Sequence, residues 1–261
     1  MKNNDTISKT LLVAVSLCLF CSAVISFTAV NLKDIQEANV RLDQQKKILA
    51  SANLLDDEKS IEELFLNIES KIIDLRTGKY DSSIDLSSFK ESDFARDENT
   101  SIILSSEQDI ATIKRRENYQ KVYLHYKDGA ISAVILPVRG YGLWGTLYGF
   151  LALESDFKTI VGLEFYQHKE TPGLGGEVDN PRWKALWKGK KISSETGEIL
   201  ISVIKGSVNK DSPDAIYQVD GLSGATITGN GVSNLLNFWL SDLGYGPYIN
   251  EMLTKRGSSD V

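Results

Sequence analysis

An uncharged stretch of 23 residues near the N-terminus constrains this chain more than any other feature of its sequence. The stretch covers residues 10–32, reads TLLVAVSLCLFCSAVISFTAVNL and lies between Lys9 and Lys33. About 20 helical residues cross the hydrocarbon core of a bilayer, so this stretch predicts one transmembrane helix. The alternative is a cleaved signal peptide, whose apolar region is usually only about 7–15 residues long and ends in a small-residue cleavage site. We therefore predict an uncleaved single anchor.

The two cysteines of the chain, Cys18 and Cys21, lie inside this stretch at i, i+3 spacing. A redox or iron–sulfur role is one interpretation, and a face of small residues that packs on another membrane helix is the favoured one. Two Cys and two His exclude a disulfide framework and a Cys-rich zinc site. The formal charge of −6 argues against a nucleic-acid binder, which needs a basic face.

The remaining chain predicts an α+β fold with a mostly antiparallel sheet and helices grouped at its ends. Residues 34–49 predict a helix that leaves the membrane, and apolar residues at helical spacing predict a surface helix over 59–73. Asp128-Gly129 separates two alternating runs and predicts a hairpin turn. Further strands are predicted at 146–155, 160–168, 198–206 and 216–219, and a short helix is predicted to open at Pro181.

A Gly-rich loop precedes a predicted helix near the C-terminus. The apolar spacing over 232–239 predicts a helix that begins just after Thr228. A helix N-terminus behind small residues can hold a phosphate, because its backbone N–H groups point at the anion. The other reading is that Thr228 or Asn230 only caps the helix. Neither a Walker loop nor a G-x-G-x-x-G fingerprint is present.

Residues 223–228 of this loop read SGATIT and follow Asp220. They are identified as the S/T-G-A-T-x-T flavinylation motif of the FMN-binding domain family, which this chain resembles. The last threonine of the family motif holds FMN as a phosphoester, so the resemblance implies covalent FMN on Thr228. It makes Asp220 the acid of the motif, and it implies further cofactor contacts from Ser223, Gly224, Ala225 and Thr226. No metal ligand and no side-chain catalysis are expected.

A second segment, residues 168–176 (HKETPGLGG), resembles the E-T-P-G-L-G loop that lies against the flavin in the family. The resemblance implies flavin contacts from Thr171, Leu174 and Gly175. Trp144 is a candidate stacking partner, although a core position is an equal alternative. His168 is interpreted as a polar loop residue rather than a proton relay.

The anchor and residues 140–145 and 177–183 resemble one branch of the family, the redox subunits of a membrane complex that oxidises NADH, reduces ubiquinone or another quinone, and exports Na⁺. This implies electron relay by covalent FMN, with NADH and Na⁺ sites on the partner subunits (A, B, D, E and F). It also implies maturation by a FAD:protein FMN transferase. The alternatives are the flavin-bearing G subunit of an Rnf-type ferredoxin:NAD⁺ complex and a cofactor-free, membrane-anchored binding domain.

The resemblance implies a single-pass protein of the bacterial inner membrane. Residues 1–9 are expected in the cytoplasm, 10–32 in the membrane, and the flavin domain in the periplasm. The expected extracytoplasmic segments are a helical and irregular region at 33–118, an FMN-binding domain at 119–250 and a C-terminal tail at 251–261.

Overall fold

The computed structural model of the chain describes residues 6–259. It divides into two compact units, one reaching to Gln44 and one beginning at Gln45. The first unit consists of helix α1, Ile7–Ser51, which continues into the second unit. Its 45 residues include neither Gly nor Pro, so nothing in the sequence breaks it. Among the described residues, α1 is the one helix long and apolar enough to cross a membrane, and it contains both the predicted span and the helix predicted at 34–49.

The strands of the second unit are β1 Ile68–Asp74, β2 Lys79–Tyr80, β3 Ser101–Ile103, β4 Arg115–Glu117, β5 Tyr119–Lys127, β6 Ala130–Tyr141, β7 Thr146–Glu154, β8 Ile160–Gln167, β9 Ser202–Val203 and β10 Gln218–Val219. The unit is built on a six-stranded antiparallel sheet of order β2-β1-β5-β6-β7-β8. The other helices are α2 Ile61–Phe65, α3 Glu91–Arg96, α4 Pro181–Lys184, α5 Thr226–Leu240 and α6 Gly246–Ser259.

The hairpin of β5 and β6 turns where the sequence predicts. Asp128 and Gly129 have φ angles of 53° and 80°, and these left-handed values match the right-handed twist of the two strands. The predicted strands at 146–155 and 160–168 are confirmed as β7 and β8. Pro181 opens α4, whose first free amide donates to the side chain of Asn180.

Each face of the sheet is covered by a helix. Helix α5 packs on one face through Leu235 and Trp239, which are fully buried. On the other face, Ile48 at the end of α1 packs with Ile135 of β6 and Phe150 of β7. Because successive side chains of β6 and β7 point to opposite faces of the sheet, these strands contribute to an apolar core on each face.

The prediction of one helix over 59–73 is wrong. Helix α2 ends at Phe65, and the chain from Ile68 to Asp74 forms β1, which pairs with β5 along seven residues. The i, i+4 spacing of Ile68 and Ile72 also fits one face of a strand, and β-branched residues favour that state. Because β1 joins the main sheet, the sheet extends across the expected boundary between 118 and 119.

The C-terminal half differs from expectation in three places. The strand predicted at 198–206 is reduced to β9, where the amide of Val203 donates to Ser233 Oγ of α5. Strand β9 pairs in parallel with β10. Helix α5 begins at Thr226, because Ala225 accepts its first i→i−4 bond from Gly229. The expected tail at 251–261 is helical as far as Ser259.

Candidate functional site

A cavity of about 450 Å³ lies beside the first turn of α5. Three segments form its walls: residues 203–207, the loop 220–224 and the start of the helix. Four residues of the predicted motif line it, namely Asp220, Ser223, Gly224 and Thr226. The structure therefore places most of the motif around one opening.

The start of α5 is shaped to accept an anion. Its N-cap residue, Ala225, makes no side-chain cap, and the amides of the first turn have no partner within the helix. Gly224 has a φ of +69°, which turns the chain into the helix without a side chain in the way. Unpaired amides and the helix dipole together favour a phosphate at this position.

The two threonines of the motif lie in different environments. Thr226 is exposed and lines the cavity. Thr228 is 0% exposed, and its hydroxyl donates to Glu170 Oε2 at 2.5 Å. The Thr228 side chain therefore does not line this cavity, whereas Thr226 does, and covalent FMN on Thr228 stays a prediction. Thr228 is also no helix cap, since it lies inside the first turn of α5.

Glu170 joins three segments of the site. Its Oε1 accepts the amides of Leu143 and Trp144, both at 3.0 Å, while Oε2 accepts the Thr228 hydroxyl. The residue is only 5% exposed, and its acceptors are met by neutral donors. Sequence reasoning placed Glu170 within its loop but gave it no role, because the three donors lie far from it along the chain.

The loop 171–176 packs against the motif. A Cβ on Gly224 would meet the Leu174 side chain at 3.0 Å, so these two loops touch. Gly175 is buried between Glu170 and Thr228, and a Cβ there would meet a side-chain oxygen of each at 2.5 Å. The carbonyl of Thr171 accepts the amides of Leu174 and Gly176, which fixes the loop. The Thr171 side chain itself is exposed.

The tautomer of His168 follows from its partners. The Glu170 amide donates to Nδ1 at 3.2 Å, so Nδ1 is an acceptor and Nε2 carries the proton. Nε2 lies 2.8 Å from Asp179 Oδ2. His168 therefore anchors the loop, in line with its interpretation as a polar loop residue.

Trp144 lies at the tip of the turn between β6 and β7 and is 62% exposed. The alternative of a core tryptophan is therefore wrong. Gly142 closes this turn by donating to the carbonyl of Gly145. Leu143, Leu174 and Ile227 are also exposed, so apolar side chains occur on all three segments that meet around Glu170.

Asp220 holds the cavity wall together. Its Oδ1 accepts the amide of Val208, and its carbonyl accepts the indole N–H of Trp183, both at 2.8 Å. Ala225 is 5% exposed and contributes to the core rather than to the cavity. Lys205, which sequence reasoning missed, is the one cationic residue that lines the cavity among the described residues. Its segment carries no motif that could have identified it.

The comparisons with known proteins agree with this geometry. Residues 142–241 match the FMN-binding domain family. Over 253 residues the chain is 48% identical to the C subunit of the Na⁺-translocating NADH-quinone reductase of Pseudomonas aeruginosa, covering 95% of this chain and 97% of that protein. The chain belongs to the family of these C subunits. The C subunit of Yersinia pestis is 45% identical over 256 residues, with 96% of this chain and 95% of that protein covered.

Two solved structures of C subunits share the fold. NqrC of Shewanella oneidensis superposes with a TM-score of 0.75 at 36% identity, covering 83% of this chain and 99% of that one. The C subunit of Parabacteroides distasonis gives a TM-score of 0.63 at 28% identity, with 84% and 96% covered. The predicted family and α+β fold are confirmed, and α1 is the membrane anchor of this member of the family.

Proposed function

We propose that the chain is the redox-active C subunit of a Na⁺-translocating NADH-quinone reductase and carries one FMN as a phosphoester on Thr226. The relatives named above support the complex, and the FMN-binding match supports the cofactor. They favour this complex over an Rnf-type one. The observation that carries the choice of threonine is exposure, because the Thr226 side chain reaches the cavity and that of Thr228 does not.

The residues around the cavity fit a phosphate-tethered flavin. The first-turn amides of α5 and the side chain of Lys205 would hold the phosphate, and Asp220 keeps the wall in place. Leu174 and Trp144 offer exposed apolar surface for a flat ring. When bound, FMN supplies reversible electron transfer, and the protein supplies position and electrostatics.

Attachment needs a FAD:protein FMN transferase, because a threonine hydroxyl is a weak nucleophile at its ordinary pKa. The Thr226 oxygen attacks the FMN-side phosphorus of FAD, and a new O–P bond forms. The bond from that phosphorus to AMP breaks, AMP leaves, and the hydroxyl proton passes to a base of the transferase. No atom changes oxidation state in this step.

We also propose how the chain is oriented in the membrane and which subunits it assembles with. The N-terminus lies in the cytoplasm, α1 crosses the bacterial inner membrane, and the flavin domain lies in the periplasm. There the covalent bond keeps FMN from being lost. The A, B, D, E and F subunits supply the NADH, Na⁺ and quinone chemistry, and electrons pass through this protein between its neighbours.

The test is the intact mass of the full chain co-expressed with its transferase. The wild type is expected to gain FMN less one water, and Thr228→Val is expected to gain the same mass. Thr226→Val, the matched variant two residues away, is expected to stay unmodified. Attachment to Thr226→Val with loss in Thr228→Val would contradict the choice of threonine. An unmodified wild type beside an active transferase would contradict the flavoprotein itself.

A further inference from the structure

We infer that the buried hydrogen bond between Thr228 and Glu170 positions Thr226 for flavin attachment. Thr228 is then a positioning residue and not the acceptor. The inference rests on the proposed function, because it assigns to the second threonine of the motif a role in the attachment at the first. It starts from the 2.5 Å contact between the Thr228 hydroxyl and Glu170 Oε2.

Helix geometry connects the two threonines. Successive residues of an α-helix are about 100° apart, so residues 226 and 228 point in directions about 200° apart. When the Thr228 side chain is held inward, the Thr226 side chain must face outward. The structure agrees, since Thr228 is fully buried and Thr226 is exposed at the cavity.

Glu170 can restrain the rotation of α5 only if its own carboxylate is held in place. Its other oxygen is held by two backbone amides of the 142–145 turn. Gly142 and Gly175 enclose the carboxylate so tightly that a Cβ on either would lie 2.6 Å or 2.5 Å from a Glu170 oxygen. Both carboxylate oxygens are therefore held by hydrogen bonds in a closely packed site, and this restrains the rotation of the first turn of α5.

The same contact aligns the loop above the motif. Gly175 lies against both Glu170 and Thr228, and Leu174 lies over Gly224. A shift of the Thr228 side chain would disturb both contacts. The pair thus sets the direction of Thr226 and the position of the apolar side chain beside it.

The experiment measures initial rates of FMN attachment with purified transferase and FAD, at varied concentrations of the full chain in detergent. Thr228→Val keeps the shape of threonine but removes the donor. We expect its kcat to fall at least tenfold while its KM stays within threefold, because the encounter with the transferase is unchanged. Thr228→Ser keeps the hydroxyl and is expected to stay within threefold of wild type. A purely steric role of Thr228 would give the opposite order for Val and Ser.

Two variants of Glu170 test the same hydrogen bond from its acceptor side. In Glu170→Gln the amide oxygen can accept the two backbone amides and the NH₂ group can donate to the Thr228 hydroxyl. This variant is expected to react within threefold of wild type. Glu170→Ala removes every one of these contacts and is expected to lose at least tenfold, with little further loss when Thr228→Val is added.

The possible results separate the two proposals. A wild-type rate in Thr228→Val, or a serine variant as slow as the valine variant, overturns the positioning role and leaves FMN on Thr226 intact. An unmodified wild type or a modified Thr226→Val overturns both. If thermal melting shows Thr228→Val to be unfolded, the serine variant and the two Glu170 variants decide the question.

Discussion

Two buried carboxylates organise different parts of this molecule. Glu117 is 0% exposed and forms a bidentate ion pair with Arg139, at 2.6 and 2.5 Å. Glu170 is 5% exposed, and its donors among the described residues are neutral, namely two backbone amides and one hydroxyl. The first carboxylate is neutralised by a cation within the sheet. The second lies where the 142–145 turn, the 171–176 loop and the first turn of α5 meet.

The buried carboxylate of Glu117 stabilises the fold, whereas that of Glu170 holds the candidate site together. Burial opposes the charge on Arg139, yet Glu117 holds the pKa of Arg139 above its ordinary value. This buried ion pair joins β4, which pairs with β3, to β6 of the six-stranded sheet. Glu170 lies among donors that belong to the turn, the loop and α5, so its loss would change the site more than the core.

Arg139→Leu tests the ion pair and should have the largest effect on stability. It leaves Glu117 buried without its cation, which costs about 3–5 kcal/mol in the free energy of unfolding. The measurement is chemical denaturation of the full chain in detergent. Adding Glu117→Gln should recover part of the loss, because the stranded charge is gone. An unchanged midpoint for Arg139→Leu would mean that the pair contributes little.

Gly142→Ala tests the enclosure of Glu170. Its Cβ would lie 2.6 Å from Glu170 Oε1, so we expect a loss of about 2 kcal/mol, typical of overpacking. Gly145→Ala is the matched control in the same turn, since the atom nearest to its Cβ is Cδ of the Lys169 side chain, at 3.0 Å, and that atom can move away. The loss for Gly145→Ala should stay below about 0.5 kcal/mol. Equal losses would show that the turn, and not Glu170, is sensitive.

A third carboxylate, Glu91, lies near the ion pair of Glu117 and Arg139 and makes the stability of the protein depend on pH. Burial, with a smaller contribution from Glu117, raises the pKa of Glu91 to about 7. The folded state therefore holds this proton more tightly than the unfolded state, and stability falls as pH rises from about 4.5 to about 7. Above pH 7 the loss is complete.

Glu91→Gln removes this titration. At pH 8 the variant should be more stable than wild type by about 1 kcal/mol, less than the full shift implies because the residue is partly solvated. At pH 4 the two should be equal. Glu98→Gln is the control, since the Glu98 side chain is 85% exposed and should show no such difference. A wild type whose stability rises between pH 5 and pH 7 relative to Glu91→Gln would contradict this account.

Lys205→Gln should have the smallest effect. Removing the one cation that lines the cavity among the described residues should slow FMN attachment about threefold, typical of an exposed charge. Lys188→Gln, an exposed lysine outside the cavity, should leave the rate unchanged. Equal rates for both variants would show that the first-turn amides of α5 hold the phosphate without Lys205.

Local sequence signals predicted those parts of the fold that depend on local chemistry. Asp128-Gly129 specifies its own turn, and Pro181 specifies its own helix start. The error at 59–73 arose because isoleucines four apart fit a helix and a strand equally well, and only pairing with β5 decides between them.

The sequence allowed the segments of the candidate site to be predicted, but not how those segments are arranged relative to one another. The motif at 223–228 and the loop at 168–176 are two segments that the structure brings into contact. They could not show which threonine faces the cavity, because that depends on where α5 begins and on Glu170, which lies 58 residues before Thr228. Long-range contacts of this kind leave no trace in local composition.

Electron-transfer fragmentation of a proteolytic peptide can locate the flavin on one of the two threonines of the motif. Chymotryptic cleavage after Leu222 and Leu235 gives residues 223–235, which contain both threonines of the motif. We expect the N-terminal fragments that end at Thr226 or Ile227 to carry the mass of FMN less one water already. A mass gain that first appears in fragments including Thr228 would contradict this expectation.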